Sequence, residues 1–363
     1  MKSFWRNTVL FLSLIVIASA EVSLAQQTLR DVGFSGQFFF SHEYDFYDEY
    51  ETNEFAIKRG YITFKDDLNE QLSIRFTQDI TIDQQGDGAG DIELRLKYAL
   101  LSYSMEDFGI FTSPNIEAGV VHRPWINFEQ DVNDYRSQKP MILDQNNIIS
   151  SADFGLQFET GIGKELDDKL QKGLNTNPAK YGSIALGIYN GGGYSSLEQN
   201  NNKVVEGRAT VRPMPDRIPG FQASVLGAFG KGNIPESPDF RLLGSALTYE
   251  SERINLVLQG FQSKGDAAGD FVDLNSGKPY RLDGWSSFIG VQPFQHPVHL
   301  TFRYDELYNK DLNHLVVKQW VTGLAYVFNN RSKIIADISQ ENRITISEQS
   351  TFTRFEVVLE VRF

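Results

Sequence analysis

Strict alternation of charged and apolar residues limits this chain more than any other feature it has. From Glu93 the odd positions read Glu93, Arg95 and Lys97, and the even ones Leu94, Leu96, Tyr98 and Leu100. Arg75 and Thr77 oppose Ile74 and Phe76, and Asp153, Gln157 and Glu159 oppose Phe154, Leu156 and Phe158. Glu206, Arg208 and Arg212 oppose Val205, Ala209 and Val211, while Arg303 and Asp305 oppose Leu300, Phe302 and Tyr304. Strand side chains point to opposite faces with period two, so each segment has one apolar and one charged face. Such segments fall at about 33–42, 55–64, 70–80, 93–104, 115–122, 153–161, 181–190 and 204–212. Others fall at about 220–229, 240–249, 254–263, 284–292, 297–305, 317–328, 332–340 and 352–363. That makes roughly sixteen strands of about ten residues, the length that crosses a bilayer at a tilt. Soft boundaries leave about fourteen or about eighteen open, and the facing of 55–64 is ambiguous.

The connections sort by parity. Those at 65–69, 213–219, 250–253, 293–296 and 329–331 are mostly short and rich in turn formers. Those at 81–92, 123–152, 190–203, 264–283, 306–316 and 341–351 are longer. Short turns on one side and long loops on the other mark a bacterial outer-membrane barrel, and a soluble sandwich has no reason to sort its loops so. The connection 162–180 fits poorly, being long and charged on the short-turn side; a short helix is expected there.

Lys2 and Arg6 precede an apolar run, Val9 to Ala20, that is too short for a comfortable membrane-spanning helix. Small residues then offer cleavage after Ala20 or Ala25, the layout of a secretory signal peptide. Cleavage after Ala25 is preferred, giving a signal peptide over 1–25 and a single barrel domain over 26–363. The expected location is the outer membrane of a Gram-negative bacterium, with its lipids, periplasmic chaperones and the barrel-assembly machinery as partners. The chain has no cysteine, which excludes thiol catalysis and thiolate metal sites. With 47 acidic against 34 basic residues, a formal charge of −13, nucleic acid is a poor partner. The five histidines are scattered, and Gly86 to Asp91 lacks the ligand spacing of a calcium loop. No Ser/His/Asp order or carboxylate pair stands out, so neither enzymatic activity nor a metal or cofactor is expected.

The segment 123–152 is the strongest functional candidate, far longer than a hairpin requires. Trp125, Ile126, Phe128, Met141, Ile142 and Leu143 are interleaved with Arg123, Glu129, Asp131, Asp134, Arg136 and Lys139. Apolar anchors with mixed charges suit a loop folded into the lumen, where local charge and diameter set conductance and selectivity. Arg75, Arg95, Lys97, Glu159, Arg208 and Arg303 are expected on the pore wall. Across the clearest strands, basic residues such as Arg354 and Arg362 match acidic ones such as Asp79, Glu117, Glu206, Asp305, Glu356 and Glu360 in number. Such a wall predicts weak selectivity.

Several segments resemble the phosphate-selective porin O and P family. Phe55-Ala56-Ile57-Lys58-Arg59-Gly60-Tyr61-Ile62 is similar to its second strand, and Gly119-Val120-Val121-His122-Arg123-Pro124-Trp125 to its exit from strand five. Asp153-Phe154-Gly155-Leu156-Gln157 resembles the re-entry strand, and Ile184 to Gly191 the apolar strand ending in Asn-Gly. The resemblance covers about 33–213 and implies a sixteen-stranded diffusion channel, a homotrimer, with its third extracellular loop folded inward. Phosphate selectivity is not carried over, because the wall read here is balanced. The expected function is passive diffusion of ions and small hydrophilic solutes; a barrel acting mainly in surface binding or adhesion is the alternative.

The final strand places Phe355, Val357, Leu359, Val361 and Phe363 on one face and Glu356, Glu360 and Arg362 on the other. A terminal aromatic on such a strand also resembles the signal read by the assembly machinery. Exposed at the edge of a soluble sheet, the same face would invite aggregation.

Overall fold

The computed structural model describes residues 33–47, 50–83, 88–273, 275–344 and 349–363. The expected signal peptide and Ala25 lie outside the described residues.

Sixteen strands form the wall. The first eight are β1 (Phe34–Tyr47), β2 (Glu51–Asp67), β3 (Leu72–Ile82), β4 (Ile92–Ser104), β5 (Phe111–His122), β6 (Ala152–Ile162), β7 (Gly182–Tyr189) and β8 (Val204–Val211). The second eight begin with β9 (Phe221–Lys231), β10 (Asp239–Glu250), β11 (Ile254–Lys264) and β12 (Arg281–Val291). They end with β13 (Val298–Asn309), β14 (His314–Phe328), β15 (Ser332–Ile344) and β16 (Gln349–Arg362). Each strand pairs with its sequence neighbours, and β16 returns antiparallel to β1, closing the barrel. The seam runs from Gln37 opposite Arg362 to Tyr47 opposite Phe352. Beyond it Gly36 and Phe363 exchange backbone hydrogen bonds of 3.0 and 3.1 Å. The Phe363 ring lies 6.2 Å from Phe34 and 6.3 Å from Phe38. A Cβ on Gly36 would sit 2.3 Å from that ring, so glycine here makes room for the terminal aromatic.

The sixteen segments read by alternation are the sixteen strands, but two β-bulges shift their facing. Between β1 and β2 the register slips at Phe39/Phe40, leaving Lys58 as the extra residue. Between β3 and β4 it slips at Thr77/Gln78, leaving Lys97 extra. A bulge places two consecutive residues against one partner and reverses the parity beyond it. Tyr98 and Leu100, expected on the apolar outer face, are therefore inside and buried, while Leu101 and Tyr103 face outward. The expected loop 306–316 is also corrected: β13 and β14 continue as a hairpin, leaving only Lys310 to Asn313 between them. Likewise β15 and β16 extend into the expected loop 341–351, of which 345–348 lie outside the described residues. The connection 162–180 holds a short helix (Asp168–Gln171) and folds under the short-turn mouth. There Asn175 and Thr176 donate to Glu250.

The bulge at Lys97 has a direct test, because the chain offers no background cysteine. A fluorophore on Leu101→Cys should be quenched by a nitroxide dissolved in the bilayer, and one on Ser102→Cys should not. Unbroken alternation from Leu94 requires the reverse.

Candidate pore constriction

The chain between β5 and β6 does not stay outside the barrel. Helix α1 (Pro124–Val132) starts with Pro124, whose fixed φ suits a first helical position and whose missing N–H costs nothing there. Trp125, Ile126, Phe128 and Val132 are buried, whereas Asn127, Gln130 and Asp131 line an open cavity. The helix thus turns an apolar face to the wall and a polar face to the lumen. Met141, Ile142, Leu143, Ile148 and Ile149 follow, also buried, with Ile142 and Leu143 in a one-turn helix, α2 (Ile142–Gln145). These side chains form one cluster with inward-facing Leu242, Val257, Phe261, Phe288, Val317 and Ile335. The inner faces of β9 to β15 are thus largely covered.

Charged contacts fix the segment along its path. Arg123 is fully buried between Asp153 at 2.9 Å and Glu206 at 2.6 Å, 4.4 Å from the Tyr189 ring centre. Trp125 donates its indole N–H to Gln259 at 3.1 Å. At the short-turn mouth Asp134 meets Arg362 at 2.7 Å, Lys333 at 2.9 Å and Arg331 at 3.0 Å. The chain then rises along β15 and β16, where Ser137 donates to Glu360, Gln138 to Asp337, and Lys139 pairs with Glu341 at 2.9 Å. Ala267 N–H donates to the Ile148 carbonyl at 2.9 Å, tying the end of the segment to the long-loop side.

Among the described residues the larger cavities in front of the segment are one of about 490 Å³ toward the short-turn mouth and one of about 670 Å³ toward the long loops. A smaller one of about 300 Å³ lies beside Asn255, His299 and Lys333. Arg59 and Arg95 line the upper one; Tyr61 and Lys97, two residues further along the same strands, line the lower. At this neck Lys97 Nζ lies 5.1 Å from the Tyr61 ring centre and 5.2 Å from that of Tyr194, and donates to Ser151 at 2.9 Å. Arg136 lies 4.7 Å over Tyr61, and Arg75 lies 4.3 Å over Tyr98. Asp79 is held by Arg59 at 2.9 Å and Arg95 at 3.0 Å, and accepts from the Tyr194 hydroxyl at 2.7 Å.

The residues proposed from sequence divide by place. Asp131, Asp134 and Arg136 line the lower cavity, and Arg75, Arg95 and Lys97 face the two cavities from the wall. Arg123 and Glu129 are buried behind the segment, and Lys139 is largely enclosed beside Glu341. Arg208 lies under α1, pairing with Glu159 at 2.8 Å and donating to the Pro124 carbonyl at 3.0 Å. Arg303 is likewise covered, between Asp305 at 2.7 Å and the Lys139 carbonyl at 3.0 Å. Sequence reasoning missed Lys58, Arg59, Tyr61, Tyr98 and Tyr194. The first four sit at or just past the two bulges, and the adjacent basic pair Lys58-Arg59 was the available signal.

Carboxyls of the segment are displaced in both directions, Glu129, Asp131 and Asp144 upward and Asp134 downward. Burial pushes Glu129 up to about 8, against the partial opposition of Arg303. Burial acts to raise Asp134 as well, but Lys333, Arg362 and Arg331 outweigh it and hold that carboxyl below the usual range.

No family model matches the chain, and no curated protein matches it in sequence. Solved structures do match in fold. An anion-selective porin from Comamonas acidovorans is 12% identical with a TM-score of 0.61, covering 90% of this chain and 98% of that one. Salmonella typhi OmpF in complex with daunomycin is also 12% identical, TM-score 0.59, covering 90% and 97%. A loop-deletion mutant of OmpT, an outer membrane protein of Vibrio cholerae, is 10% identical, TM-score 0.54, covering 91% and 98%. The likeness is to outer-membrane porins at large and does not single out the phosphate-selective family.

Two outcomes follow for the packed segment. Asp134→Asn leaves Lys333 and Arg331 without their nearest acid and should cost about 2 kcal/mol, less than a fully buried pair because Asp134 is partly exposed. Thermal unfolding in detergent measures it; an unchanged midpoint contradicts the clamp. Glu129 ionises near its ordinary 4.5 when unfolded and near 8 when packed, so its contribution is complete below 4.5 and lost as pH rises through 8. The unfolding midpoint should therefore fall between pH 5 and pH 9, and Glu129→Gln should flatten that fall. A midpoint that rises with pH and ignores the substitution would contradict this.

Proposed function

We propose that this protein is a porin of the outer membrane of a Gram-negative bacterium, a passive channel for ions and small hydrophilic solutes that favours anions. The observation that carries the reading is the neck, where Arg75, Lys97 and Arg136 converge. Among the described residues their side-chain hydrogen-bond partners are Thr77, His122, Ser151, Gln130 and Gln37, and none of the three is in an ion pair. Most acids of the wall are engaged elsewhere: Asp79 by Arg59, Asp153 and Glu206 by Arg123, Asp305 by Arg303, and Glu356 by Lys58. Glu117, bonded to His122, and Asp144 reach Arg75 and Lys97 only through space. A passing anion supplies the direct ionic partner that these three cations lack, whereas a passing cation meets net repulsion. Salt screens such fields over about 10 Å at 0.1 M, so the preference is modest and strengthens in dilute salt. Nothing at the neck selects phosphate over other small anions.

Diffusion needs no catalytic group, and the reading assigns none. A homotrimer is part of the proposal, in keeping with the OmpT structure from Vibrio cholerae described in its trimer form, at 8% identity and a TM-score of 0.51.

Purified protein in a planar bilayer under a salt gradient should give conductance steps and a reversal potential on the anion side. Lys97→Glu with Arg136→Glu should lower the anion-to-cation permeability ratio at least ~3-fold. A silent bilayer would sink the channel reading, and a cation-selective wild type would sink the charge argument.

A further inference from the structure

Outside the barrel, a shallow groove of about 640 Å³ crosses β7 to β11. Two glycines shape it. Gly207 of β8 and Gly227 of β9 lie opposite each other on the outward face, flanked in register by Leu186 and Leu243. Those leucines are 52% and 69% exposed and stand as two ridges; Leu186 leans over Gly207, leaving Gly227 as the open floor between them. The fold does not need glycine at 227: a Cβ there would meet only the Leu242 carbonyl oxygen, at an ordinary 3.5 Å. Glycine within a strand forgoes packing and loses more entropy on folding than other residues, so its presence here serves a surface shape.

Toward the long loops the next outward positions are Phe229, Arg241 and Lys264, neighbours across β9, β10 and β11. Lys231 and Lys264 share the single acid Asp239, at 2.5 and 3.1 Å. Arg241 is exposed and, among the described residues, in no ion pair. The groove thus runs from apolar ridges to a rim of net positive charge, at the level where the apolar belt gives way to loops.

We propose that this groove binds a phosphorylated lipid of the leaflet on the long-loop side, one acyl chain in the glycine floor and the phosphate on Arg241 and Lys264. Apolar ridges match an acyl chain, and a guanidinium with a neighbouring ammonium matches a phosphate head. A second barrel seated here would bury Arg241 without a counter-charge, which favours the lipid.

The test is native mass spectrometry of the whole protein in neutral detergent, titrated with dioleoyl phosphatidic acid or dioleoyl phosphatidylcholine. The wild type should prefer phosphatidic acid about 5-fold or more. Arg241→Glu with Lys264→Glu should abolish that preference, and Gly227→Leu should weaken both lipids alike. Heat-modifiable gel mobility checks that each variant is a closed barrel; if Gly227→Leu fails to close, Gly227→Ala carries the same test with a smaller loss. Equal binding of the two lipids by the wild type would overturn the proposal, as would an unaltered preference in the double variant. So would a Gly227 variant that changes oligomeric mass and leaves lipid binding untouched.

Discussion

Backbone hydrogen bonding in a medium without water is the constraint on which the rest of this structure depends. A sheet in lipid cannot leave an edge unpaired, because each orphaned N–H or C=O costs several kcal/mol. The last strand must therefore find the first, and the bonds between Gly36 and Phe363 complete that ring. Closure creates an interior, and each inward side chain must then be hydrated, paired or covered. On β9 to β12 the inward positions include Leu226, Leu242, Val257, Phe261, Leu282 and Phe288. Exposing these to water would forfeit roughly 25 cal/mol for each Å² of apolar surface. The segment 123–152 covers them, so its entry into the lumen answers a need set by the opposite wall.

Covering one side of the lumen also sorts its charges. Arg208, Arg303, Glu206 and Asp305 end up behind the segment, each with an ionic partner at short range. In front of it remain the two cavities and the neck, where Arg75, Lys97 and Arg136 rest on tyrosine rings rather than on carboxylates. The formal charge of −13 belongs to the whole chain and says little about this passage. Selectivity follows from the few charges within a Debye length of the permeating ion.

Much of the barrel was legible in the residue pattern, because period-two alternation is a direct trace of a two-faced wall. Positions such as Phe154 against Asp153, or Leu300 against Arg303, carry that trace without ambiguity. Parity failed where a single extra residue entered a strand. Lys97 followed by Tyr98 reads as one inward and one outward residue, yet the bulge turns both inward. The lumen position of 123–152 was suggested by its apolar anchors. Which of its charges would face water was not, since that depends on cross-barrel partners such as Glu206 and Arg362, far away in sequence. The clue that went unused was the scarcity of charge on the inner faces of β9 to β12, the mark of a wall that something else must cover. Among the described residues Glu250, at the short-turn end, is the exception there.

The central claim is that the inserted segment, not the barrel wall, sets the size of the passage. Single-channel conductance in a planar bilayer measures it most directly. The wild type is compared with a variant in which 124–150 is replaced by a short Gly/Ser turn, checked for closure by heat-modifiable mobility. The account predicts a several-fold rise in conductance and passage of larger polymers through the variant. A closed variant barrel with wild-type conductance would show that the segment does not form the constriction.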